Sequence, residues 1–180
     1  TNRGWGSAGE ANDGLQRLFW NNKMPFEMKT VKAMPDGFEI EFTQPVNKKT
    51  AEDIASYKVQ SYTYKYHPVY GSPTVNTKAL TVKGVKVSAD GMRARIVVDG
   101  LRRYYIHQVS AAGITDKENS FSLVHSEVYY TLNNIPEGKK LLMSELSTKN
   151  SLKVAKTASE KKQLGTGLKS ADDPSAKVAT

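Results

Sequence analysis

Asp36-Gly37-Phe38-Glu39-Ile40-Glu41-Phe42-Thr43-Gln44-Pro45-Val46 decides the fold of this chain. Phe38, Ile40 and Phe42 alternate with Glu39, Glu41 and Thr43. Successive side chains of a strand point to opposite faces, so this spacing makes one face apolar and the other polar. Wound at 3.6 residues per turn, the same three apolar groups would be smeared around a helix. Asp36-Gly37, following Met34-Pro35, is turn chemistry, because glycine readily takes the positive φ of a tight hairpin. The stretch therefore predicts a half-buried strand near the start of a β-sandwich.

Working outward, Phe26 to Met34 reads as the strand on the other arm of that hairpin. Lys48 to Ala55 reads as a helical turn. Tyr57 to Tyr66 is a further strand, with Tyr57, Val59 and Ser61 on one face and Tyr62, Tyr64 and Tyr66 on the other. His67-Pro68 through Ser72-Pro73 breaks any ladder. Leu80 to Ser88 and Met92 to Val98 form a hairpin around Ala89-Asp90-Gly91, with Arg93 and Arg95 directed to water. Tyr104 to Ala111 and Val124 to Leu132 complete about seven strands. Short strands separated by regular turn signals predict an antiparallel sandwich. Phe38, Ile40, Phe42, Val85, Val87, Ile96, Val98 and Val109 are its expected core.

The ends read differently. Residues 1–24 are rich in Gly and Asn, with one apolar piece, Leu15-Gln16-Arg17-Leu18-Phe19-Trp20, that can form an isolated strand. Thr1-Asn2-Arg3 resembles a cut end. From Glu137 onward Lys, Ser, Thr and Ala dominate, and nine lysines face five acids, for +4. The preceding 136 residues carry 17 basic and 13 acidic groups, also +4, within a total of +8. The composition from 137 to 180 is that of a linker or tail, unable to bury enough apolar area to offset its ordering entropy. Leu141 to Leu146 and Leu152 to Leu164 are its only helical candidates. If ordered, it would be held by a partner surface.

Function classes narrow by exclusion. A body this mildly basic lacks the clustered Lys and Arg of a nucleic-acid-binding surface. No apolar run approaches the ~20 residues that span a bilayer. The absence of cysteine excludes disulfides, thiolate metal sites and a cysteine nucleophile. His67, His107 and His125 would suit zinc or copper only if they converged, and none shares the close spacing of two ligands on one element. His107 lies on the strand face of Tyr105 and Val109 and reads equally as a hydrogen-bonded core residue. Gly4-Trp5-Gly6-Ser7-Ala8-Gly9 lacks the preceding strand and the Lys-Ser/Thr end of a phosphate loop. Glu39 and Glu41 lie on a solvent face, where cations of a neighbouring strand can oppose them. No acid–base pair, catalytic residue or cofactor is expected in this segment. The contact candidates are Tyr62, Tyr64 and Tyr66 on one strand face, with His67 and Tyr70 in the following loop. Their rings can stack on sugars, bases or another protein, or pack with the hydroxyls left wet.

Several ordered blocks carry a family resemblance. They are Gly4-Trp5-Gly6-Ser7, Gly14-Leu15-Gln16-Arg17-Leu18, Pro25-Phe26-Glu27-Met28-Lys29, Met34 to Phe42, Ser61 to His67 with Tyr70-Gly71-Ser72-Pro73, and Tyr129-Tyr130-Thr131-Leu132-Asn133. Together they resemble a segment of large bacterial haem-binding, membrane-associated dehydrogenase-like proteins. In these, a quinoprotein sugar-dehydrogenase-like propeller precedes an immunoglobulin-like domain, and a c-type cytochrome domain often follows. The resemblance covers about residues 4–136. It implies that residues 1–24 are the remnant of a propeller's last strand, 25–136 the immunoglobulin-like domain, and 137–180 a linker. It also implies an extracytoplasmic location, in the periplasm or at the outer membrane, and neighbouring redox domains of the same polypeptide, or another protein, as partners. The chain has no Cys-x-x-Cys-His for haem and no propeller to cradle a quinone, so no catalytic residue carries over.

The expectation is an all-β, immunoglobulin-like sandwich of about seven strands with an N-terminal extension and a basic, low-complexity tail. Its expected role is that of a non-catalytic spacing or docking module. The alternative is a carbohydrate- or ligand-binding module using the Tyr62, Tyr64 and Tyr66 face.

Overall fold

In a computed structural model, the residues described are 15–151. Seven antiparallel strands form: β1 (Met28–Met34), β2 (Gly37–Phe42), β3 (Lys58–Tyr64), β4 (Thr74–Val87), β5 (Arg93–Asp99), β6 (Tyr105–Ser110) and β7 (Glu127–Leu132). A four-residue helix, α1 (Lys48–Ala51), and a 3-10 turn at Ile54–Ser56 occupy the predicted helical turn. The strand order is β1-β2-β5-β4-β3-β6-β7.

The 14-residue β4 belongs to both layers. Its first half, from Thr74 to Leu80, pairs with β3, and its second half, from Thr81 to Val87, pairs with β5. One sheet is thus β1-β2-β5-β4, and the other is β4-β3-β6-β7. Read as strands A to G, this is the A-B-E-D and C-F-G order of a constant-type immunoglobulin sandwich. The all-β sandwich is as expected.

Alternation places the core. Phe38, Ile40 and Phe42 are fully buried, with Phe42 stacked on Phe26 at 5.9 Å between ring centres. Val85 faces Ile96 across the β4–β5 ladder and Val87 faces Ala94, as their spacing predicts. Of the eight expected core residues, only Val87 is less than buried, and it packs at the border of the cluster. On the outer side Glu39 opposes Arg95 and Glu41 opposes Arg93, while Lys29 reaches Glu41 at 3.2 Å.

Three expectations differ from what is found. Leu15–Trp20 forms no strand and lies in solvent. Arg95 is not directed to water: its guanidinium donates to Asp36 at 2.7 Å and to the Lys139 carbonyl at 3.0 Å. The third concerns the chain after Glu137, which over 137–151 is a strap laid back across the sandwich. The Leu141 amide donates to the Asp36 carboxylate at 2.7 Å, and Lys86 pairs with Glu145 at 2.8 Å. Ser147 exchanges two backbone hydrogen bonds, of 2.8 and 2.9 Å, with Val85 on the free edge of β4. The Ile54 amide donates to the Lys149 carbonyl at 2.8 Å, and buried Asp53 accepts from the Ser151 amide at 3.2 Å. Gly84 makes room for the strap, since a Cβ there would lie 2.8 Å from Leu146 Cβ. An open β4 edge would be a template for unwanted pairing, and the strap covers it. The predicted helix over Leu141–Leu146 is reduced to a 3-10 turn at Met143–Glu145. The weaker helix predicted over Leu152–Leu164 lies outside the described residues.

Candidate functional site

The five contact candidates do not lie on one face. Strand β3 carries a bulge between Ser61 and Thr63. On its inner side Val59 and Ser61 are buried. On its outer side Tyr62 and Tyr64 meet edge to face at 5.7 Å. Tyr62 is nonetheless buried, because Tyr64 and the neighbouring strands cover it, whereas Tyr64 is half exposed. Burial, and a hydrogen bond with Tyr64, push the Tyr62 phenol above its usual range. Tyr66 and Tyr70 lie beyond the strand, in the loop that joins β3 to β4, and are fully exposed. His67 is in the same loop, where its Nδ1 accepts from the Val69 amide at 3.2 Å.

Residues that period-2 reading did not single out complete the outer face. Gln60 opposes Gln108 on β6, and Gln108 opposes Tyr129 on β7. Gln60 Nε2 donates to Gln108 Oε1 at 2.6 Å, and Gln108 Nε2 donates to Glu127 Oε2 at 2.9 Å. The Tyr129 hydroxyl donates to the same carboxylate at 3.2 Å. This bond to Glu127 raises the Tyr129 phenol above its usual range. An amide–carboxylate chain thus runs across three strands beside the tyrosines. Beside it, where β4 leaves β3 for β5, an open groove of about 790 Å³ is lined by Val59, Leu80, Val82, Gln60 and Glu127 among others.

The histidines do not converge. His107, on β6, is fully buried, its ring 5.5 Å from that of Phe38 on β2 in the facing sheet. Its Nε2 accepts from the Arg102 amide at 3.3 Å, and Nδ1 faces the Tyr105 carbonyl at 3.2 Å. That pair of partners fits the neutral imidazole protonated at Nδ1. His125 instead contacts Glu27 at the surface. Among the described residues no group of three or more His, Cys, Asp or Glu side chains is placed to hold a metal ion. Arg102 is also committed: its guanidinium stacks on Tyr105 at 3.5 Å and donates to Ser61 and the Asn76 carbonyl.

Burial pushes the His107 pKa below its ordinary value of 6.5. The unfolded chain therefore binds this proton more readily than the folded one. The stability due to neutral His107 is complete above pH ~6.5 and is lost as pH falls from there towards the folded pKa. Urea midpoints should accordingly fall between pH 7.5 and pH 5. His107→Gln should flatten that slope, and an unchanged slope would contradict the assignment.

None of the described helices is long and apolar enough to cross a membrane. No protein-family model matches the chain, and no curated protein matches it. Among solved structures, it is similar to the crystal structure of the S-layer protein rSbsC(31-844), at 23% identity and a TM-score of 0.46. That match covers 61% of this chain and 14% of the other. The N-terminal part of the bacterial S-layer protein SbsC gives 23% identity and a TM-score of 0.47, over 61% of this chain and 24% of that one. The chain thus spans a small part of the length of the structures it matches.

Proposed function

We propose that this chain is a non-catalytic interaction module of a larger extracytoplasmic polypeptide, holding neighbouring domains or a partner at a fixed separation. The observation that carries the reading is the aromatic end of the β3–β4 pair. Tyr64, Tyr66, Val69 and Tyr70 stand in water there, between 50% and 104% exposed. Concentrated exposed apolar side chains on a rigid scaffold are characteristic of an interface. The mechanism is positional: the sandwich and its strap set the spacing, and the tyrosines supply contact. The extracytoplasmic setting and the redox neighbours rest on the sequence resemblance over residues 4–136.

The chain has no cysteine, so a single one at Tyr66 gives a unique attachment point for a photocrosslinker. In the native envelope fraction one discrete adduct is expected, competed away by excess unlabelled chain. Labelled chain at its own mass alone would overturn the reading.

A second reading is favoured by the Gln60–Gln108–Glu127 chain. Aromatic rings beside planar amide and carboxylate groups offer stacking and paired hydrogen bonds to a carbohydrate. It predicts glycan retention that both Tyr64→Ala and Gln108→Ala abolish.

A further inference from the structure

We propose that two copies of this chain pair through the outer edge of β7, antiparallel about a two-fold axis, so that their second sheets join into one continuous sheet. This surface is separate from the aromatic end of β3–β4, and the inference goes beyond the interaction-module reading. Strand β7 ends the second sheet and pairs with β6 alone. The Ala111 amide donates to the Ser126 carbonyl at 2.8 Å, in the register that sets Val109 opposite Val128 and His107 opposite Tyr130. Residue pairs of an antiparallel ladder alternate between those that exchange hydrogen bonds and those that do not. Val128 and Tyr130 therefore turn their backbone groups to β6, while Glu127, Tyr129 and Thr131 turn theirs outward. Among the described residues no other strand pairs with that edge.

The other edges each carry a device that blocks such pairing, and β7 does not. Strand β1 has Lys29, Lys32 and a register shift between Met28 and Thr30. The second half of β4 is covered by the strap, where Ser147 pairs with Val85. Its first half has Lys78, and Asn76 at φ 56° interrupts the extended backbone. The β7 sequence, Glu-Val-Tyr-Tyr-Thr-Leu, has no lysine, proline, glycine or bulge and is rich in strand formers. It is also complementary to itself. With Tyr129 opposite Tyr129 of the second copy, Glu127 falls opposite Thr131 at both ends of the ladder. The outward N–H and C=O groups of all three residues then find partners. The Thr131 hydroxyl is placed to donate to the facing Glu127 carboxylate, and no like charges are opposed. At the axis the two Tyr129 rings, 57% exposed in the single copy, meet as an aromatic pair. Each copy presents the same edge, so the contact is isologous and closes at a dimer.

Because Tyr129 meets its own copy, exchanging its charge tests the register as well as the contact. Light scattering of the full chain across concentration should show the mass rising from 19.9 kDa to twice that value and no further. A single strand pair is smaller than a standard interface, so the midpoint should lie between ~1 μM and ~1 mM. Tyr129→Lys and Tyr129→Glu each set like charges against one another and should need about ten-fold higher concentration or more to associate. An equimolar mixture of the two sets opposite charges together and should dimerise at least as readily as the unsubstituted chain. Thr131→Glu, which places a carboxylate opposite Glu127 at both ends, should weaken the dimer independently, and circular dichroism establishes that each variant folds. A chain that stays at 19.9 kDa up to ~1 mM, or grows past a dimer, would overturn the proposal. So would variants that associate as before, or a mixture that associates no better than its components. Crosslinking from position 66 is a separate readout and would leave the interaction-module reading standing in each case.

Discussion

Phe42→Asp should abolish folding. Phe42 is fully exposed to the core and not at all to water, stacked on Phe26 at 5.9 Å and lying in the strand central to the first sheet's alternation. Removing a phenylalanine of this kind costs ~3–5 kcal/mol through lost transfer energy and the cavity left behind. The aspartate adds a buried charge, and among the described residues no lysine or arginine is buried to pair with it. A domain of this size has only ~5–15 kcal/mol to lose. Far-UV circular dichroism and urea titration should show no cooperative transition in Phe42→Asp. Phe42→Leu should keep one at a lower midpoint. A Phe42→Asp chain that melts cooperatively would contradict the assignment of the strand.

Gly37→Ala should have the next largest effect, destabilising by ~3 kcal/mol, near the upper end of overpacking costs. Gly37 opens β2 beside the β1–β2 turn and faces Val97 on β5. A Cβ built there would lie 1.9 Å from the Ile96 carbonyl oxygen. That neighbour is the backbone of a strand paired on both sides, so it cannot swing away as the end of a long side chain would. Either the β2–β5 ladder opens or the turn is rebuilt. The same substitution at Gly71, where a Cβ meets nothing within 4 Å, serves as the comparison. Its positive φ alone makes it costly by a smaller amount, ~1 kcal/mol. Urea midpoints of the two variants decide the matter. Equal midpoints would mean that the close approach at Gly37 is not as described.

The layers of the fold were legible wherever one strand face is buried, because period-2 patterning is then written by the core. Phe38-Glu39-Ile40-Glu41-Phe42 and the Val85, Ile96 and Val98 set show this. The first half of β4 was not legible for the same physical reason. Thr74 to Ala79 pairs on one side only and buries little, so it carries no alternation and looks like loop. Nor was the strap. It is fastened by backbone pairs at Val85 and Ile54 and by carboxylates at Asp36 and Asp53, interactions that leave no periodic trace. Its fit depends on Gly84 facing Leu146, a relation between distant residues that composition cannot contain.

The contact surface was half legible. The tyrosine run was visible, but its division was not. The end of β3 at Tyr64 leaves Tyr66 and Tyr70 in the loop, while Tyr62 sinks beneath its neighbours. Gln60, Gln108, Glu127 and Tyr129 come together only through the registers of β3, β6 and β7. Three strands have to be aligned before those four side chains become one feature. A glutamine facing a glutamine on a predicted outer face is the kind of signal that, with pairing known, would have exposed it.

The most direct test of the interaction-module claim compares crosslinkers on the two outer faces of one sandwich. One label sits at Tyr66, at the aromatic end of β3–β4, and the other at Lys32, on the outer side of β1 opposite Glu39. In the native envelope fraction, position 66 should give one discrete, competable adduct and position 32 none. Equal labelling from both positions, or none from either, would contradict the claim that the tyrosine end is where this domain meets its partner.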